Sequence, residues 1–593
     1  MNKRRRVGSE VVQRMGVART AAAIGLAGLL ACLAVAIPVG VQGAQAPPGP
    51  GILDQTIDPE RRPGAPDLTP RPPADIELPE RPARPPKGAE GPKVFVRKFQ
   101  ITGNSVIPTP TLESLVRSEE GQELTLEQLR ATAARITDYY AARGYILARA
   151  YLPPQDVREG VIEIAILEGK IGEIEVTGNE RYKSNVILRA LTRVRDGKVV
   201  EESRLETAIN DLNEYPGLNV RASLKPGAER GTTDILMTAQ ERLPLSGMAD
   251  VDNYGSRFTG FWRYGFELGY GNLTGFGDKV TLRGIKSDSN GLTYGRAGFL
   301  IPIGNYETKL AGSYVYSDSG VGAEFAPLNA GGNLQAGTLE LIQPVMKTAG
   351  VNFQMSGGFE AVRLVNKILG AKSGIDDLRV FRLGFNGDYR DNYLGRWFYG
   401  LNWYQGVPWF GGNFKNDRGA SVPNGPGSFS KWTLDMARLQ SLVIGGSYLV
   451  LRGSGQLANV NMVPYERLAA GGYYTVRGYP LAEYSGDKGY VVTAELVVPI
   501  PGLREWAQMV AFVDHAGVWP ISPDKTIGEK GHYLSGVGGG FRVGVPIPQA
   551  LGGILQVRLD YGIHVGSPKP SSEKSGLGQG LPGIFYLSSN FRF

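Results

Sequence analysis

One cysteine and three histidines in 593 residues leave this chain almost without the groups on which most enzyme chemistry depends. A disulfide framework needs paired thiols, a zinc site needs a Cys/His cluster, and a nucleophilic triad needs a placed imidazole. The one tempting pair, Asp514-His515, lies in an apolar, strand-like run, where neighbouring side chains point to opposite faces and no triad can form. No nucleotide-binding motif is present, so neither catalysis nor a metal or cofactor is expected. Positive charge is also scarcer than the net +7 implies. Residues 1–46 hold six Lys/Arg against Glu10 alone, and the remaining 58 basic and 56 acidic groups nearly cancel. That balance gives no electrostatic footprint for nucleic acid.

The N-terminal charge reads instead as a targeting signal. Lys3, Arg4, Arg5, Arg6, Arg14 and Arg19 precede an apolar stretch from Thr20 to Val41 that ends in small residues. Residues 1–46 are therefore expected to be a signal peptide, with cleavage after Gly43 or Ala46. A single membrane anchor is one alternative reading. A lipoprotein box at Leu29-Leu30-Ala31-Cys32 is another. Residues 47–93 contain fourteen prolines among charges of both signs and read as an extended linker. A short helix over Ile52–Arg62 is the one element suggested there.

Residues 94–169 and 170–244 read as two α+β units with the same order, β-α-α-β-β. The first has expected strands at Val94–Ile101, Ile146–Leu152 and Val161–Leu167. Its helices begin near Pro108 and along Leu126, Leu129, Ala133, Ile136 and Tyr140. The second echoes it with Ile171–Val176, Ser184–Arg193, a helix carrying Leu205, Ala208, Ile209 and Leu212, and strands near Leu218–Leu224 and Thr233–Gln240. Both units open on a Gly-Asn turn, at 103–104 and 178–179. Such small sheets leave an edge strand beside a helix, a physical basis for holding an extended polypeptide by strand addition.

From 245 to 593 helical periodicity gives way to alternation. Phe258, Trp262, Tyr264, Phe266, Leu268 and Tyr270 share one parity, and the same alternation returns at Leu555, Val557, Leu559, Tyr561, Ile563 and Val565 and at Phe585, Leu587, Phe591 and Phe593. The 82 glycines and the aromatics at strand ends favour a membrane β-barrel over a soluble sandwich. The apolar parity would meet lipid and charges would line the lumen. About 22 residues per strand and connection gives about 16 antiparallel strands. Gly411–Ser430 and Pro464–Lys488 read as long external connections. Within the second, Arg477 stands in the glycine- and tyrosine-rich run 470–480, and Asp514 is the lone carboxylate of 509–519. A guanidinium in a confined site requires such a carboxylate, which makes these two natural partners.

The chain resembles the two-partner secretion transporters (TpsB; the ShlB/FhaC-like haemolysin secretion family), relatives of the outer-membrane barrel-assembly proteins. The resemblance rests on Gly144-Tyr145, the run 150–156, Gly160-Val161, 251–255, Val476-Arg477-Gly478-Tyr479, Phe512-Val513-Asp514 and terminal Phe593. It implies that the two units are periplasmic POTRA domains and that the chain sits in the outer membrane of a Gram-negative bacterium. It also implies that an unfolded, TpsA-like exoprotein is captured in the periplasm and moved through the barrel to the cell surface. The long loop would fold into the lumen, with Val476, Arg477, Gly478 and Tyr479 set against Asp514 and Phe512. Tyr145, Tyr151, Leu152, Pro153 and Gln155 are the implied POTRA contacts for cargo. Phe591 and Phe593 are the implied signal to the barrel-assembly machinery, and outer-membrane lipids are the remaining partners. The family's plug helix would fall on Ile52–Arg62. An insertase of outer-membrane proteins is the alternative reading; a passive porin leaves residues 94–242 without a purpose.

Overall fold

The computed structural model describes residues 76–77 and 92–593, apart from 158, 196–198, 230, 305–306, 349, 415–416, 418, 423–426, 504–505, 524–528, 548–552 and 572–581. The expected signal peptide and the Ile52–Arg62 helix lie outside the described residues.

A two-residue strand, β1 (Ile76–Glu77), precedes the first unit. That unit comprises β2 (Lys93–Phe95), β3 (Lys98–Thr102), α1 (Thr109–Val116), β4 (Glu123–Thr125), α2 (Leu126–Ala141), β5 (Arg149–Tyr151) and β6 (Val161–Leu167). The expected strand Val94–Ile101 is divided, because β2 pairs with β4 whereas β3 runs parallel to β6. Val96 is the switch point, bonding Gln122 and Gly121, after which Arg97 turns to Gly160. The strand expected over Ile146–Leu152 shortens to Arg149–Tyr151, because Leu147 is buried in the core of the second unit instead. Thr125 and Gln128 form a reciprocal capping box that fixes where α2 starts, and the stripe Leu129, Ala133, Ile136 and Tyr140 buries its inner face.

The second unit comprises β7 (Lys170–Thr177), α3 (Ser184–Ala190), α4 (Thr192–Arg195), α5 (Glu202–Asn213), β8 (Leu218–Pro226) and β9 (Thr232–Glu241). Its repeat relation extends to single hydrogen bonds. Asn104 donates to Ile107 O and Thr109 Oγ1, and Asn179 likewise donates to Tyr182 O and Ser184 Oγ. Glu168 accepts from the amides of Ser105 and Val106, while Glu241 accepts from those of Arg181 and Tyr182. In both units a carboxylate ending the last strand ties down the turn that leads to the first helix.

Sixteen antiparallel strands close into a barrel, as the alternation and the length of the segment predict. They are β10 (Leu245–Asp252), β11 (Arg263–Gly271), β12 (Lys279–Ser287), β13 (Leu292–Ile303), β14 (Thr308–Gly320), β15 (Gly331–Lys347), β16 (Val351–Ile368) and β17 (Ala371–Arg390). Beyond these come β18 (Gly395–Gly406), β19 (Ser430–Ser441), β20 (Tyr448–Ala458), β23 (Lys488–Pro499), β24 (Ala507–Trp519), β25 (His532–Ile547), β26 (Gly553–His564) and β27 (Gly583–Arg592). A small hairpin, β21 (Leu468–Ala470) with β22 (Tyr484–Gly486), stands apart from the wall. A tilted strand crosses hydrocarbon in about 9–11 residues. The 17, 18 and 20 residues of β15, β16 and β17 therefore carry the wall beyond the membrane. Tyr264, Phe266, Leu268 and Tyr270 face outward, but Phe258 and Trp262 precede β11 and lie in the connection before it.

The second unit identifies the periplasmic end of the barrel. Lys183 N–H donates to Gly275 O and its ammonium lies 3.7 Å from the Phe276 ring centroid. Arg189 donates to Gly304 O at 2.7 Å, and Lys347 meets the Asp211 carboxylate. Three successive turns of the barrel thus hold this unit, and the long connections lie at the other end.

Candidate functional site

Residues 459–487, between β20 and β23, fold into the barrel. Met462, Val463, Tyr465, Ala469, Leu481 and Ala482 pack against Leu334, Ala336, Val362, Leu364, Leu378 and Val380 of the inner wall. The expectation of a lumen lined by charge fails only in part: where β15–β17 face the loop, the wall is apolar because it packs a core there rather than water, while charged groups face the loop from other strands. Buried polar anchors fix the loop's register: Lys431 pairs with Glu466, Tyr465 OH donates to Glu360 at 2.7 Å, and Asp487 accepts from Met462 N–H and Ile521 N–H. Beside the loop the inner cavity, lined by Arg382, Lys431, Asp435 and Glu466, has a volume of about 160 Å³. That is below the roughly 300–1,000 Å³ of ligand pockets.

The tip of the loop presents Arg477, 4% exposed, to three carboxylates on neighbouring strands. Its Nε and Nη2 donate to Asp514 at 2.8 and 2.9 Å, and its backbone N–H donates to the same carboxylate at 3.1 Å. Nη1 reaches Glu495 of β23 at 3.1 Å and Asp560 of β26 at 3.3 Å. Glu495 is shared with Arg542 of β25. The guanidinium carbon lies 3.3 Å from the Phe512 ring centroid, so Phe512 supports the planar cation from beneath. Val476 and Tyr479 are fully buried. Gly478 has φ +95°, and a Cβ there would lie 2.6 Å from the backbone of Ile563 and His564. Only glycine permits both that turn and that approach to β26.

Two tyrosines connect the tip to the seam between the first and last strands. Tyr586 of β27 accepts from Gly478 N–H and donates to Tyr479 O, each at 3.1 Å. Tyr254 stacks on Tyr473 with ring centroids 3.9 Å apart and donates to Ser588 Oγ. The seam itself is short, with five paired residues between β10 and β27. Asn253 extends it by donating to Phe585 O and accepting from Leu587 N–H. Glu495, Asp560, Arg542, Tyr254, Asn253 and Tyr586 are site residues that sequence reasoning missed. Glu495 was accessible by the argument used for Asp514, since it too is a lone carboxylate in an apolar strand run.

The POTRA candidates do not form one surface. Tyr145 packs on the first domain's core, edge-on to Tyr140 at 6.0 Å. Gln155 accepts from Glu163 N–H and donates to Glu163 O, filling a gap in the ladder. Tyr151, Leu152 and Pro153 are half-buried. At the far end, Phe593 exchanges two 3.0 Å backbone bonds with Gly247, and its ring lies 6.0 Å from that of Phe591.

A closed sixteen-stranded barrel, docked on paired α+β units and filled by its own loop, defines a periplasm-facing outer-membrane transporter of the POTRA-barrel class. Residues 231–543 match the family model described as haemolysin secretion/activation protein ShlB/FhaC/HecB, and residues 94–169 match the ShlB-type POTRA domain. The chain belongs to the ShlB/FhaC/HecB family of two-partner secretion transporters. The heme/hemopexin transporter protein HuxB of Haemophilus influenzae is 25% identical over 70% of this chain and 74% of its own. The outer membrane transporter CdiB of Escherichia coli is 26% identical over 69% and 70%. In fold, the chain is similar to CdiB from Escherichia coli, with TM-score 0.66 and 22% identity over 90% of this chain and 94% of that one. It is also similar to BamA from Haemophilus ducreyi, with TM-score 0.53 and 16% identity over 84% and 100%.

Proposed function

We propose that this transporter captures a large exoprotein in unfolded form on its POTRA domains and passes it through the lumen once the loop 459–487 withdraws, with Arg477–Asp514 as the latch. The observation that carries this reading is the loop packed on the inner wall, its tip held by one buried guanidinium among three carboxylates. A buried ion pair contributes little net stability but specifies position strongly, which suits an element that must occupy one place and leave it as a unit. Folding of the exoprotein outside the cell gives transport its direction without a nucleotide. The half-buried Tyr151, Leu152 and Pro153 are the POTRA contacts in this scheme. Lipids meet the outward aromatic parity, and Phe591 and Phe593 direct assembly by the cell's barrel-assembly machinery.

Co-expression with the exoprotein encoded nearest to this chain tests the proposal by comparing secreted and periplasmic partner in wild type, Arg477→Ala and Asp514→Ala at equal barrel insertion. Secretion by wild type that falls at least tenfold in both variants is expected. Periplasmic retention with wild type, joined to failure of other outer-membrane barrels when this protein is depleted, would move the chain to the insertase reading.

A further inference from the structure

The linker crosses back onto the second POTRA domain. Ile76 and Glu77 run parallel to β8, opposite Ala222 and Ser223, and add a fourth strand to the sheet in the order β1-β8-β9-β7. Without β1, β8 is an edge, and an edge strand is a ready template for any extended chain.

The two domains close this edge differently. In the first, Thr137 Oγ1 on α2 accepts from Ala150 N–H of edge strand β5 at 2.9 Å, so a helix side chain satisfies that edge amide. In the second, Asn213 on α5 accepts from Val220 N–H at 2.6 Å, and two residues further along the closing group is β1. The sequence limits how firmly β1 can hold. The described pairing covers two residues, and prolines at 72, 73 and 79, which lack a ladder N–H, stand close on either side in the sequence. A strand with two paired residues is easily displaced by a longer one. Position along the barrel axis favours cargo as the competitor. β8 starts beside Pro216 and Tyr215, which touch the barrel turn at Gly271 and Gly277, and runs from there toward Pro226.

Resting on the cargo-capture reading above, we infer that the β8 edge of the second POTRA domain is a strand-addition site for an extended segment of the exoprotein, held closed in the resting transporter by Ile76–Glu77 of its own linker. Incoming polypeptide takes the place of β1 and is thereby aligned with the barrel mouth.

Two arms test this in the full-length chain. First, residues 74–78 are replaced by Gly-Ser-Gly-Ser-Gly in detergent-solubilised protein, and a labelled peptide of residues 72–80 is titrated against it. Binding at least tenfold tighter than to wild type, and abolished in a peptide carrying Pro at positions 76 and 77, is expected; equal binding to both proteins overturns the strand site. Second, Glu77→Cys with Ser223→Cys locks β1 by a disulfide, the natural Cys32 being replaced by Ser. Complete cross-linking with at least a tenfold loss of exoprotein secretion, restored by reductant, supports displacement. Absence of the cross-link under oxidant overturns the pairing, and full secretion by the cross-linked chain overturns the competition. If wild type secretes no exoprotein, the transport reading fails, while the peptide arm still decides whether β8 accepts a strand.

Discussion

Arg477 shows what one side chain can specify. Five N–H donors in a rigid fork let it serve Asp514 on two atoms and still reach Glu495 and Asp560, a division of labour no ammonium can copy. Removing either partner of such a buried pair costs about 3–5 kcal/mol, because the other charge is left uncompensated. Arg477→Ala and Asp514→Ala are each expected to make residues 468–486 cleavable by added protease in intact cells, with Arg477→Lys intermediate. The double variant is expected to be no worse than either single one, since both remove the same contact. Tyr586→Phe loses a bridge of two neutral hydrogen bonds, about 1 kcal/mol each, and is expected to raise cleavage only slightly. Cleavage in Tyr586→Phe equal to that in Arg477→Ala would place the latch in the aromatic contact instead of the ion pair. The Arg477–Asp514 partnership was legible in the sequence because a lone charge in an apolar or glycine-rich run demands an opposite one. Asp560 was hidden, because Arg558 and Gln556 share its parity and make it look like an ordinary lumenal group.

At the scale of elements, period-two alternation gave away the barrel, since one face of every strand meets lipid, and the length of the segment gave its strand number. It failed where the other face is not wet. The wall positions Leu334, Ala336, Val362 and Leu364 point inward yet are apolar, and only the folded loop explains them. In the POTRA units, the boundaries that moved are those where the chain changes partner, at Val96 and at Leu147. The carboxylate that ties each domain's first turn offers a test. Burial raises the Glu168 carboxyl, but the Ser105 hydroxyl, the Val106 and Ser105 amides and the Tyr140 hydroxyl together hold it below its ordinary 4.5. A depressed acid stabilises the fold fully above pH 4.5, and that contribution is lost as pH falls through the lowered value. Hydrogen exchange of residues 103–107 is therefore expected to be flat from pH 8 to 5 after correction for intrinsic rates, and to rise on further acidification. Glu168→Gln, which keeps one acceptor and loses the charge, is expected to weaken protection at pH 7 by about 1–3 kcal/mol, and to meet wild type at low pH. A Glu168→Gln profile parallel to wild type throughout would show that the carboxylate's charge plays no part.

The whole molecule is a relay from periplasm to surface, and identifiable joints couple its parts. Leu147 of the first POTRA domain is buried in the core of the second, and Gly144 O accepts from Glu202 N–H at 2.8 Å, so the two domains move together. The second is joined to the barrel through Lys347, whose side chain is 9% exposed and sits between Asp211 and Glu214 on the adjacent helix end. Because β15 continues from that lysine up the wall that packs the loop, this joint offers a direct route, along one strand, between cargo-side domain and lumenal plug. Lys347→Glu sets three carboxylates together at this joint in place of a buried ion pair, a loss of at least about 3 kcal/mol. Faster hydrogen exchange in α5 and weaker secretion are expected, with the strand amides of β15 and β16 unchanged and the barrel still resistant to detergent. Adding Asp211→Lys restores opposite charges and is expected to recover a substantial part of both. Unchanged exchange in α5 would mean that the turns at Gly275 and Gly304 hold the domain without the lysine, and that the relay runs through β11 to β14 instead.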